Sequence, residues 1–295
     1  MSGVEESLHA VVVACKHVRL QWLRPLCGQQ GTSIFVYAKC GAIETLPSNC
    51  SNARVVPADN HGRDFKVYLT HVLRHHSALP AATFFVHDDF PKHLRLSSSG
   101  RYEFPAAANW REVARCYGFL SLKHPCIRQE VRWTPGRLCQ RYRLGAAAGS
   151  GRSPGRPPRV NGSEVTRAMV ALAADLLPQP LPPRLTFFES AQFVVSRERL
   201  ARLPAAWYRR ALSHVDAIGL DFAPIFAYER LFHLLMGCET SACTAAAAAC
   251  SPRARKYAAL YEQTALAAVP SGARGYCAGV GKLGCKSYCC RRGEL

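Results

Sequence analysis

Two adjacent carboxylates, Asp88 and Asp89, follow the apolar run Ala82-Thr83-Phe84-Phe85-Val86-His87. Neighbouring carboxylates repel, and both ionise readily only beside a cation. Hard divalent ions such as Mn²⁺ or Mg²⁺ prefer oxygen ligands, and one held here could carry a diphosphate. The competing reading is a plain turn, because Asp-Asp before Phe90-Pro91 is good turn chemistry. Arg63 stands in Asn60-His61-Gly62-Arg63-Asp64, directly before an amphipathic stripe. At a helix start, free backbone N–H groups and a guanidinium make an anion site. An arginine that only pairs with Asp64 fits equally well. Gln192 interrupts the apolar run Ala191 to Val195, and a buried amide must find partners or face a cavity. Glu229 and His233 are one helical turn apart. They either orient a base together or form an ordinary exposed pair. His71, His75 and His76 read as solvated residues of a helix rather than as a metal cluster.

The elements that must position these residues read as alternating strands and helices. His9 to Cys15 and Ser33 to Tyr37 are buried strands, with a helix between them carrying Leu20, Trp22, Leu23 and Leu26. That order makes a βαβ unit and a parallel pair. Residues 41–58, with Asn, Ser and Pro, read as a loop. Phe65, Tyr68, Leu69, Val72 and Leu73 recur at i, i+3, i+4, i+7 and i+8, the stripe of an amphipathic helix. Ala82 to His87 is then a strand buried on both faces. Its carboxyl end lies where open α/β sheets bind ligands. A helix carrying Trp110, a short strand at 118–122 and a helix over 164–177 follow. After the strand at 191–195, Ser196 is a suitable N-cap for the next helix, and Gly237 ends the last one.

Composition bounds the rest. The chain has 295 residues, 48% of them hydrophobic and 20% charged, so it is not globally disordered. Its net charge of +18 favours polyanions or phosphorylated substrates. Fourteen cysteines suit disulfides in an oxidising compartment or a metal in a reducing one, and no C-x-x-C pair favours zinc. One domain is expected over 8–237, with a disordered basic insert at about 145–162 and a Cys-rich, partly disordered tail at 238–295. No segment is long enough to span a bilayer, and the first apolar run is too short for a signal peptide. The strand near the start is compatible with an N-terminal anchor missing from this sequence. With one, the secretory pathway is expected; without one, the cytoplasm.

Several blocks occur in a familiar order: Val36-Tyr37-Ala38-Lys39, Asn60-x-Gly-Arg63 with Tyr68-Leu69-Thr70-His71, Ala191-Gln-Phe-Val-Val-Ser-Arg-Glu-Arg-Leu200, and Tyr228-Glu-Arg-Leu-Phe-His-Leu-Leu-Met-Gly237. They resemble a domain-of-unknown-function family of fungi, algae and plants, which in turn resembles glycosyltransferases of the GT-A type. Two positions depart from the family pattern. His87-Asp88-Asp89 stands where His-x-His is usual, and Asp64 where Glu is usual.

The resemblance implies an α/β fold of GT-A kind: a mostly parallel sheet with helices on both faces. It implies a nucleotide sugar and a carbohydrate acceptor as partners, with Glu229 as the base that deprotonates the acceptor. Asp88 and Asp89 would hold the metal, Mn²⁺ or Mg²⁺. Lys39, Asn60, Arg63, His87, Gln192 and His233 would bind substrate. A non-catalytic sugar- or nucleotide-binding member of the same fold is the alternative. A nucleic-acid binder built on the arginine-rich segment ranks last, since it lacks interleaved aromatics.

Overall fold

The computed structural model describes residues 7–15, 20–41, 45–88, 110–122, 128–132, 162–181, 184–188, 191–218, 222–238 and 250–252. Asp89, the expected insert up to residue 161 and most of the tail lie outside the described residues.

The chain builds a six-stranded sheet in the order β3-β2-β1-β4-β8-β5. Strand β1 is Leu8–Ala14, β2 Thr32–Ala38, β3 Ala53–Pro57, β4 Ala82–His87, β5 Phe119–Ser121 and β8 Phe193–Ser196. Strand β1 pairs in parallel with β2 and β4, and β2 with β3. Strand β8 runs antiparallel to both β4 and β5. The fold is therefore α/β, but the sheet is mixed where a mostly parallel one was expected. A separate two-stranded antiparallel sheet joins β6 (Arg128–Arg132) to β7 (Arg184–Phe188).

Alternation along the strands divides the apolar residues between two cores. Val11, Val13, Phe35 and Phe85 enter one; Ala10, Val12, Ile34, Phe84 and Val86 enter the other. Among the described residues five helices cover the first face: α1 (Arg63–His75), α3 (Gly162–Leu176), α4 (Arg197–Ala201), α5 (Ala205–Ile218) and α6 (Phe222–Leu235). The second face carries α2 (Trp110–Tyr117) and a 3-10 turn at Gln21–Leu26. That turn stands where a full helix was expected, and Pro25 within it limits its length. Strand β3 was expected to be loop. It is an edge strand with Val55 48% exposed, so no buried apolar run marks it.

Phe193 ties the first face together. Its ring lies 5.0 Å from Phe85, 5.2 Å from Phe119, 5.6 Å from Tyr68 and 4.5 Å from Phe232, joining sheet to α1 and α6. Truncating such a buried ring costs about 3–5 kcal/mol. The Ser196 hydroxyl accepts the Arg199 N–H at 3.3 Å, so the expected N-cap starts α4. Gly237, at φ 74, follows α6 as the expected C-cap.

Candidate functional site

The strand register aligns the carboxyl ends of three parallel strands. Ala14 lies beside Ala38, and Val13 beside His87, so Cys15, Lys39 and Asp88 lie at one edge. Because β8 runs the other way, its first residues meet the same edge: Phe85 pairs with Phe193, which places Gln192 next to Val86. Helix α1 begins at that edge with Arg63 and Asp64, and a Cys15–Cys40 disulfide joins the ends of β1 and β2 there.

Asp88 is fixed by the backbone around it. Its Oδ2 accepts the Cys15 N–H at 2.8 Å, its own N–H donates to Val13 O at 2.9 Å, and its carbonyl accepts Trp22 Nε1–H at 3.0 Å. His87 Nε2 lies 3.1 Å from Asp64 Oδ2. Burial alone would raise the Asp64 pKa, but His87, Lys39 and Arg63 together hold the carboxyl below its ordinary value.

Lys39 is 8% exposed. Burial pulls its pKa down to about 8; Asp64 and Asp59 oppose that, while Arg63 and Lys66 reinforce it. Arg63 has φ 46, a left-handed conformation no other non-glycine shows among the described residues. Such a conformation stores about 1–2 kcal/mol, and strain of this kind clusters at functional sites.

Tyr68 connects the far side of the edge. Its hydroxyl donates to Ala191 O at 2.8 Å, directly before Gln192. Burial first, and then the charges of Asp64, Asp88 and Glu229, push the phenol well above its ordinary pKa. Carboxylates from α1, the end of β4 and α6 thus act on one hydroxyl. Gln192 is completely buried, and neither of its amide atoms has a hydrogen-bond partner among the described residues.

The edge therefore brings together Lys39, Arg63, His87, Asp88 and Gln192, with Glu229 in electrostatic reach of the same phenol. Asn60 is exposed in the loop before α1. His233 is not an exposed partner of Glu229: it is 4% exposed, and burial holds its pKa down at about 3 against a hydrogen bond to the Arg230 backbone. Its Nε2 has no hydrogen-bond partner among the described residues. Helical spacing presents Tyr68 as part of an apolar stripe, and nothing in that spacing reveals where a hydroxyl points. In the sequence Asp64 stands as a possible partner of Arg63 and as a departure from the family pattern; in the structure it pairs with His87.

Fold and edge define an α/β protein with a mixed sheet and a polar, charge-balanced cluster at the carboxyl ends of its parallel strands. The chain belongs to the DUF3431 family, described as protein of unknown function, whose profile matches residues 10–252. Searches of curated proteins and of solved structures return no significant match.

Proposed function

We propose that the carboxyl edge binds a nucleotide sugar and that the protein transfers the sugar to a carbohydrate acceptor, in the manner of GT-A glycosyltransferases. The observation that carries this reading is the convergence of Lys39, Arg63, His87, Asp88 and Gln192 at the carboxyl edge of the sheet. Lys39 and Arg63 face the diphosphate and offset the charge that grows on it as it leaves. Glu229 takes the proton of the acceptor hydroxyl as its oxygen bonds to the sugar carbon; the carbon–diphosphate bond breaks, and the diphosphate departs with the electron pair. Gln192 donates and accepts toward sugar hydroxyls.

A divalent ion fits the described residues only in part. Asp88 already gives one carboxylate oxygen to the Cys15 N–H, and the cations Lys39 and Arg63 lie at the same sheet edge. This donor set suits a phosphate held by basic groups better than an oxygen cage. The same commitment of Asp88 favours, as a second reading, a member that binds nucleotide sugar without turning it over. The disulfides Cys15–Cys40, Cys27–Cys50 and Cys116–Cys250 support residence in an oxidising compartment such as the secretory pathway. Among the described residues no helix is long and apolar enough to cross a membrane.

The test is turnover of a panel of nucleotide sugars by the oxidised protein, with and without Mn²⁺, repeated with Glu229→Gln. Loss of a general base lowers turnover roughly 10²–10⁴-fold. Thermal stabilisation by a nucleotide sugar without turnover selects the binding member. Neither stabilisation nor turnover across the panel removes both.

A further inference from the structure

At the opposite, amino edge of the sheet, three histidines face one another. His9 is the second residue of β1, beside Ser33 and Thr83 in the register, and His71 and His75 lie one turn apart near the end of α1. One ligating nitrogen from each ring lies within 4.8 Å of the other two. His9 Nδ1 and His71 Nε2 are 3.1 Å apart. Two nitrogens each about 2.0–2.1 Å from a tetrahedral zinc ion stand roughly 3.3 Å apart, so this pair is already spaced for one ion. His75 Nε2 is buried without a hydrogen-bond partner among the described residues.

The surroundings suit ligating histidines. His71 uses its other ring nitrogen, Nδ1, to meet the Tyr37 hydroxyl at 3.0 Å, the outer contact that orients a ligating histidine. Phe35 packs against all three rings at 4.9, 4.8 and 5.2 Å and walls one side. His9 and His75 are only partly buried, so solvent reaches the cluster. Burial, and then the neighbouring ring of His75, lowers His9 to about 4; burial, then His9, His75 and Arg74, lowers His71 further. His75 is lowered by burial and by Arg74 and Arg54, so all three rings offer lone pairs at neutral pH. Arg74 and Arg54 are exposed, so solvent screens their repulsion of a cation.

We propose that His9, His71 and His75 bind one divalent transition-metal ion of the zinc class, joining β1 to α1. Three imidazoles without a carboxylate select Zn²⁺, Co²⁺, Ni²⁺ or Cu²⁺ over Mg²⁺ or Ca²⁺. Titrating Co²⁺ into untagged, oxidised protein tests it by visible absorption, with Zn²⁺ as competitor. One Co²⁺ per chain is expected, with tetrahedral ligand-field bands and no thiolate charge-transfer band. His75→Gln and His9→Gln each weaken binding at least about tenfold, and Tyr37→Phe, acting through His71, weakens it about tenfold. His75 is the least buried of the three positions, so its variant keeps the test sound if His9→Gln misfolds. The assignment is overturned by any of three results: no stoichiometric binding, thiolate bands that trace the ion to cysteines, or equal affinity in His75→Gln.

Discussion

Lys39 is the side chain whose state the proposed site depends on most. An ammonium held near 8 by burial is charged at neutral pH but gives up its proton within reach of ordinary buffers. Affinity for UDP, measured calorimetrically between pH 6 and 10, should hold steady below about 8 and then weaken as the charge is lost. Lys39→Met should bind weakly throughout and show no such inflection. Stability moves the opposite way. The unfolded chain keeps this proton up to about 10.5, so between 8 and 10.5 it binds more protons than the native state, and unfolding free energy rises with pH there. A buried charge that weakens the fold yet strengthens anion binding is what a phosphate site predicts. An inflection that persists in the variant would assign it to another group.

Among the elements, α1 carries residues of both sites, and its entry into the helix is the tightest point. Gly62 has φ 59, and a Cβ there would clash with Val215 Cγ1 and meet Lys66 Cβ at 2.9 Å. Gly62→Ala should therefore destabilise by at least about 2 kcal/mol, adding left-handed strain to a clash with α5. Urea unfolding would show it as a lower midpoint with an unchanged slope; a midpoint like the parent's would mean that α5 yields freely. Helix α1 itself was legible, because Phe65, Tyr68, Leu69 and Val72 repeat at helical spacing. The burial of His71, 1% exposed, was not. Helix α1 is covered over an arc that also takes in Val67, wider than one apolar stripe, and a polar residue inside such an arc leaves no periodic signal. Strands β1, β2 and β4 were legible from their continuous apolar runs. The placement of Asp88 and Gln192 at one edge was not, because it depends on strand order and on β8 running antiparallel, neither of which spacing along the chain encodes.

Among the described residues the two faces of the sheet are unequally covered, and the cross-links fall accordingly. Five described helices roof the first core, and α2 and one 3-10 turn the second. Cys27–Cys50 and Cys116–Cys250 both lie at that second core, whereas Cys15–Cys40 sits at the proposed site. The first of these closes a separation of 23 residues and the second one of 134. By chain entropy such loops restrict the unfolded state by about 3 and about 5 kcal/mol respectively, with the contributions not simply additive. Paired serine substitutions separate the roles. Replacing Cys116 and Cys250 should lower the unfolding midpoint more than replacing Cys27 and Cys50, while leaving UDP affinity near that of the parent. Replacing Cys15 and Cys40 should weaken UDP binding, since Lys39 and Cys15 lose the clamp that holds their strands' ends together. Mild reductant should reproduce the combined loss in the parent protein. If thiol titration of the denatured, unreduced protein finds all fourteen cysteines free, they are not paired in solution, and the case for an oxidising compartment goes with them.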